Sequence, residues 1–110
     1  MSVYEKIASA MRNRNIDEYV SLLHDDFKFI SHQDGSTKDK QAFADMVGGL
    51  MSNDSLAIQN QRCIYENDDI VVSHSVMDFP DGTREAVMVV HKLKNGKIIE
   101  SETGATPISN

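Results

Sequence analysis

The fold is decided by residues 56–105, which read LAIQNQRCIYENDDIVVSHSVMDFPDGTREAVMVVHKLKNGKIIESETGA. Three turn signals divide this stretch into four runs rich in apolar residues. Asn95-Gly96 is the strongest signal, because both central residues of such a two-residue turn need a positive φ. Pro80-Asp81-Gly82 and Asn67-Asp68-Asp69 are also composed of residues that favour turns. The pattern predicts an antiparallel meander of four strands, at about residues 56–66, 69–79, 84–94 and 97–105.

Two helices are predicted at the start of the chain. Ser2 and Glu5 have the spacing of a capping box, and apolar residues follow with a helical period to about Asn13. Asn15 and Glu18 repeat the capping pattern before a short second helix. Helices that precede a meander favour an α+β fold in which a curved sheet wraps around the helices and encloses a pocket.

A short strand and a third helix are predicted between these elements and the meander. Residues 27–31 form the strand, and residues 33–36 form a loop rich in turn-forming side chains. The third helix runs from about Lys38 to Met51. Gly48-Gly49 weakens it, since each glycine costs about 1 kcal/mol relative to alanine. This pair indicates either fraying or close packing of the helix against the sheet.

Composition limits the class of protein and its partners. The chain has 110 residues, 40% of them hydrophobic and 25% charged, which predicts one globular domain over residues 1–110. Its net charge of -6 argues against nucleic acid and anionic membranes as partners. Cys63 has no second cysteine with which to form an intrachain disulfide, which favours the cytoplasm. Its place in a predicted strand indicates a buried thiol.

The predicted register of the last hairpin bears on assembly. A two-residue turn at Asn95-Gly96 pairs Lys94 with Lys97 and Val90 with Ser101, and it places His91 beside Glu100 on one face. Both faces then carry apolar residues near the turn, whereas a sheet with one wet face alternates cleanly. We therefore expect one face to cover the helices and the outer face to form a homodimer.

The order of elements resembles the nuclear-transport-factor-2-like superfamily, most closely its SnoaL-like and ketosteroid-isomerase-like branches. The resemblance rests on residues 16–27, which run from the second helix through Asp25-Asp26 to the first strand, and on Asp81-Gly82 and residues 95–99. It implies a cone-shaped α+β fold, commonly dimeric, with a pocket between sheet and helices. It does not imply one activity, because one fold hosts many functions.

The catalytic residues of ketosteroid isomerases do not carry over to this chain. The resemblance aligns the two chains through Asp25-Asp26. The position of the isomerases' catalytic tyrosine then corresponds to Ile7, that of their base to Ser31, and that of their later acid to Val89 or Val90. Isoleucine and valine cannot polarise a carbonyl, and a lone serine is no base near neutral pH. Ketosteroid isomerase is therefore rejected as the specific function.

His32 and Asp34 are the leading candidates for catalysis. They lie two residues apart at the end of the first predicted strand, so an extended backbone puts both side chains on one side. An imidazole oriented by a carboxylate is a usable general base near pH 7. The alternative is that Asp34 hydrogen-bonds its own turn. No spacing of His, Cys, Asp and Glu resembles a metal-ligand motif, and no cofactor is predicted.

Five further residues are candidates for the pocket wall. They combine apolar bodies with polar or adaptable groups: Tyr19, Ser31, Tyr65, Met88 and Ser101. Core packing or edge exposure is the alternative for each. We predict that the protein binds a small molecule. It either catalyses cofactor-free acid–base chemistry on a carbonyl compound or has no catalytic activity. In the catalytic interpretation, His32 is the base, Asp34 orients it, and a tyrosine stabilises the oxyanion. A ligand-binding accessory protein and a dimeric interaction module remain the alternatives.

Overall fold

The computed structural model describes residues 2–108. The elements are α1 (Val3–Arg12), α2 (Ile16–Val20), β1 (Leu23–Ile30), β2 (Thr37–Asp39), α3 (Lys40–Met51), β3 (Ala57–Glu66), β4 (Ile70–Asp78), β5 (Arg84–Lys94) and β6 (Lys97–Pro107). The four predicted meander strands are present as β3 to β6, with ends that agree to within two residues. None of the helices in this part of the chain combines the length and apolarity needed to cross a bilayer.

Each helix begins at a side chain that accepts a hydrogen bond from the backbone three residues later. The caps are Ser2 on the N–H of Glu5 (3.1 Å), Asn15 on that of Glu18 (3.1 Å) and Asp39 on that of Ala42 (2.9 Å). The first two caps confirm the predicted helix starts. The third helix starts at Lys40 instead of Lys38, because Thr37–Asp39 pairs with β1 as a short strand that was not predicted.

The six strands form one sheet in the order β2-β1-β6-β5-β4-β3. All neighbours are antiparallel except β1 and β6, which run parallel. The helices cover one face, where Phe27 and Phe29 of β1 pack with Phe43 of α3 in the core. We call this covered face the inner face and the opposite one the outer face.

Helix α3 continues through its two glycines to Met51, so the fraying alternative is wrong. A Cβ added to Gly48 would lie 3.5 Å from Cγ1 of Ile16, whereas one added to Gly49 would meet nothing within 4 Å. The close packing that Gly48 permits is therefore against α2 and not against the sheet.

The last hairpin has the predicted turn but a different register beyond it. Asn95 and Gly96 have φ of 53° and 79°, and Lys94 pairs with Lys97. A bulge at Ile99 then shifts the pairing by one residue, so His91 faces Ser101 and not Glu100. Without the bulge, Glu100 would lie with His91 on the inner face, where an unpaired carboxylate is costly to bury. The bulge keeps Glu100 on the outer face, and the predicted pairing is wrong because it assumed a hairpin without a bulge.

Cys63 is exposed, contrary to its predicted burial. It lies on β3, which is an edge strand of the sheet. An edge strand has a neighbour on one side only, so its side chains are covered less than those of β4 or β5. The burial of a strand residue therefore depends on where its strand lies in the sheet, and the local sequence pattern does not indicate that position.

Candidate functional site

A cavity of about 520 Å³ lies between the helices and the inner face of the sheet. Its helical wall is largely apolar and includes Ile7, Phe43 and Val47. Its sheet wall carries polar side chains on β4, β5 and β6. A cavity of this size with an apolar lining and a few placed polar groups is typical of small-molecule sites.

An imidazole and a carboxylate face each other at the mouth of the cavity, near the exposed Pro80-Asp81 turn. Nε2 of His32 lies 3.8 Å from Oε1 of Glu85, and the two side chains are 25% and 19% exposed. Oγ1 of Thr103 accepts a hydrogen bond from the backbone N–H of His32 (3.3 Å) and lies 2.8 Å from its Nδ1. One hydroxyl thus holds both the backbone and the ring of His32, and Nε2 is left directed towards the carboxylate.

The strand pairing explains this arrangement. His32 follows β1, whose parallel pairing places Ile30 opposite Glu102 and so brings His32 next to Thr103 on β6. Glu85 is near the start of β5 and has the same parity as Val87 and His91, which both face inwards. Sequence reasoning missed Glu85, although this alternation along β5 was a signal that points to it.

Asp34 does not occupy the predicted place beside His32. Its Oδ1 accepts a hydrogen bond from the backbone N–H of Ser36 (2.8 Å), and hydrogen bonds from Ser36 lower the pKa of the Asp34 carboxyl. Both ring nitrogens of His32 face other residues, Thr103 and Glu85. Asp34 therefore has the turn-stabilising role that was its alternative interpretation, and the carboxylate that faces His32 is that of Glu85.

The five predicted wall residues divide into two groups. Tyr19, Ser31 and Ser101 line the cavity. Tyr65 and Met88 lie outside it and are 57% and 43% exposed. Met88 lies between two inward-facing residues of β5 and therefore faces outwards. A register shift in β3 pairs Tyr65 with Val72, which puts Tyr65 on the same outer face. Their predicted place on the wall is therefore corrected.

His91 and Ser101 lie at the inner end of the cavity, where they are only 3% and 1% exposed. Nδ1 of His91 is 2.7 Å from Oγ of Ser101. Burial lowers the pKa of His91 from 6.5 to about 4, so the ring is neutral near pH 7. The predicted His91–Glu100 pair is absent, and a neutral imidazole–hydroxyl pair takes its place.

We expect His91 to make the protein less stable in mild acid. Between pH 6.5 and about 4, the unfolded chain binds a proton that the folded one does not, so the free energy of unfolding falls as the pH drops. At about 1.4 kcal/mol per pKa unit, the loss between pH 7.5 and 4.5 is about 2–3 kcal/mol. Urea unfolding of the wild type and His91→Gln at both pH values measures it. Equal losses in the two proteins would contradict this assignment.

The three positions at which the resembled isomerases carry their catalytic groups all touch the cavity. Ile7, Ser31 and Val89 line it, whereas Val90 lies on the other face of β5. The wall therefore has the expected positions but different side chains at each of them. Among residues 2–108, no three His, Cys, Asp or Glu side chains form a group suited to a metal ion.

A family model described as a SnoaL-like domain matches residues 4–101. A nuclear-transport-factor-2-like protein of unknown function from Mesorhizobium loti has a TM-score of 0.83 at 10% identity, over 94% of this chain and 88% of that one. A steroid delta-isomerase from Pseudomonas aeruginosa has a TM-score of 0.74 at 14% identity, over 96% and 78% of the two chains. No curated protein sequence matches the chain. The structural likenesses confirm the predicted cone-shaped α+β fold.

Proposed function

The chain belongs to the SnoaL-like domain family, and from this we propose that it binds a small carbonyl compound in its cavity and moves a proton on it without a cofactor. One observation carries the proposal. His32 and Glu85 face each other at the mouth of a largely apolar cavity, and Thr103 holds the imidazole in place. An imidazole beside a carboxylate is suited to general acid–base catalysis near neutral pH.

The proposed reaction begins when Nε2 of His32 removes a proton from the carbon next to the carbonyl. The electron pair of that C–H bond forms the enolate, and the new charge rests on the carbonyl oxygen. Glu85 stabilises the imidazolium through its opposite charge. Tyr19 lines the same cavity and donates a hydrogen bond to the oxyanion, since burial raises the pKa of its phenol and keeps the proton in place. Return of the proton to the same or another carbon regenerates neutral His32.

Proton exchange on 2-tetralone tests this proposal without knowledge of the natural substrate. Its carbonyl-flanking protons are replaced by deuterium in D2O, and ¹H NMR follows their loss. We expect the wild-type protein to accelerate this exchange beyond a matched buffer blank. Asp34→Asn is the control, since Asp34 only stabilises its turn, and it should retain the wild-type rate.

Binding without catalysis is the second candidate function. The observation that favours it is the absence of acid–base groups at Ile7, Ser31 and Val89, although all three line the cavity. Binding of 2-tetralone with no acceleration of exchange would support this candidate and contradict the catalytic one.

We also propose that the outer face of the sheet forms a homodimer. Met88 and Tyr65 are exposed there, beside the half-buried Val72 and Val90. An exposed apolar patch of this kind is favourable as a contact surface between copies of the chain.

Met88→Lys is expected to raise the Kd of this dimer at least about tenfold, because it puts a charge into a contact that would exclude water. Sedimentation equilibrium at micromolar concentrations measures the shift. Gln41→Lys adds the same charge on α3 and serves as the control. A wild-type protein that is monomeric at these concentrations would contradict the proposal and favour a module that binds other proteins.

The proposed location is the cytoplasm. The thiol of Cys63 is free and exposed. An exposed thiol of this kind persists in a reducing compartment, where disulfides are rare.

A further inference from the structure

We propose that the inner end of the cavity recognises an uncharged, hydrogen-bonding group of the ligand, such as a hydroxyl or carbonyl oxygen, through Tyr19, Ser73, Ser75 and His91. The inference rests on the proposed function, because it concerns the same cavity. It adds the chemical class of the ligand and assigns its binding to four residues other than His32 and Glu85.

Four polar atoms that border the cavity have no hydrogen-bond partner among residues 2–108. Ser73 and Ser75 are each 9% exposed, and their hydroxyls make no hydrogen bond with any residue in the described range 2–108. The same holds for the hydroxyl of Tyr19, which is 6% exposed, and for Nε2 of His91. All four residues line the cavity, and none of these atoms is sealed off from it. Buried polar groups are nearly always hydrogen-bonded, so unpaired ones that border a cavity indicate a partner that enters it.

The strand register distributes these groups along the sheet wall. Ser75 lies opposite Val87, Ser73 opposite Val89, and His91 opposite Val71 one step further along the sheet. Neighbouring strands are about 4.8 Å apart, and alternate residues on a strand are about 7 Å apart. These groups are therefore spread over two such steps, about 14 Å from the level of Ser75 to that of His91, with apolar valines between them. A largely apolar ligand that carries a polar atom matches this wall.

The charges around the cavity exclude ionised ligands from its inner end. The lining that the described part of the chain forms contains no Lys or Arg, and its two carboxylates, Asp81 and Glu85, belong to the turn and the mouth. An anion would lose its hydration without meeting a cationic partner. Burial keeps His91 neutral near pH 7 and raises the pKa of Tyr19, so both act as uncharged groups. A cation would meet no carboxylate beside them.

Three aromatic probes of similar size separate these possibilities: 2-naphthol, naphthalene and the anion 2-naphthoate. Titration calorimetry or fluorescence at pH 7 gives their affinities. We expect 2-naphthol to bind the wild-type protein at least about tenfold more tightly than either of the others, because only it is both uncharged and able to hydrogen-bond. Equal affinity for naphthalene, tighter binding of 2-naphthoate, or no binding of 2-naphthol at millimolar concentration would overturn the inference.

The double variant Ser73→Ala with Ser75→Ala tests the residues themselves. It removes two hydroxyls with little change in volume, so its affinity for 2-naphthol should fall at least about tenfold while that for naphthalene is kept or improved. Ser55→Ala, on the exposed surface, is the matched control. His91→Gln is a second variant, which keeps a hydrogen-bonding group, and its folding is checked by circular dichroism. Unchanged preference for 2-naphthol in both variants would overturn the assignment.

The readout separates this inference from the catalytic proposal. Binding of 2-naphthol involves no proton transfer, so a protein that prefers it but does not exchange 2-tetralone would contradict catalysis alone. A protein that exchanges 2-tetralone but binds naphthalene as tightly as 2-naphthol would contradict the polar inner end alone.

Discussion

Replacement of His32 by glutamine is expected to slow proton exchange on 2-tetralone by about 10²–10⁴-fold, the usual contribution of a positioned general base. Glutamine can still hydrogen-bond Thr103, but its amide cannot accept a proton near neutral pH. The Kd of 2-tetralone should change little, because the polar inner end is left intact. Exchange rates followed by ¹H NMR, with Kd from calorimetry, separate the two effects.

Two further variants complete this experiment. Glu85→Gln removes the charge that faces His32 but keeps the shape of the side chain. The exchange rate should therefore fall by less than in His32→Gln. Asp34→Asn should behave as the wild type, because its side chain binds Ser36. A His32→Gln protein that exchanges at the wild-type rate would refute the assignment of the base.

Replacement of Phe43 by alanine is expected to lower the free energy of unfolding by about 3–5 kcal/mol. Phe43 is 5% exposed, and its ring centroid lies 4.9 Å from that of Phe27, 5.0 Å from Phe29 and 5.9 Å from Tyr19. Truncation removes all three ring contacts and enlarges the cavity that Phe43 also lines. A loss of this size is a large part of the about 5–15 kcal/mol of a typical domain.

Urea unfolding followed by circular dichroism measures the effect of Phe43→Ala. Phe79→Ala is the matched control, because Phe79 is only partly buried near the mouth and its truncation should cost less. Equal losses in the two variants would show that Phe43 does not hold the helices to the sheet.

Local chemistry accounts for the elements that the sequence predicted correctly. The Asn95-Gly96 turn and the caps at Ser2 and Asn15 each involve atoms within three residues of one another, so their stability depends on neighbouring side chains alone. The order of helices and strands follows from such signals, and it was enough to reach the family resemblance and the α+β fold.

The mouth of the cavity shows why local reasoning chose the wrong partner for His32. Asp34 is two residues away in sequence, yet it turns back to Ser36. Glu85 is distant in sequence and arrives only because β1 pairs in parallel with β6, which in turn pairs with β5. Parallel pairing joins segments that are far apart in the chain, and no turn signal marks it.

The sequence by itself determined the order of the helices and of the strands other than β2, the meander, the starts of the first two helices and His32 as a residue at the end of the first strand. Tertiary structure alone decided which side chains share the cavity. One bulge at Ile99 moved Ser101 beside His91 and left Glu100 on the outer face. The physical reason is that side chains alternate between the two faces of a strand, so a single extra residue exchanges every inward position with an outward one beyond it.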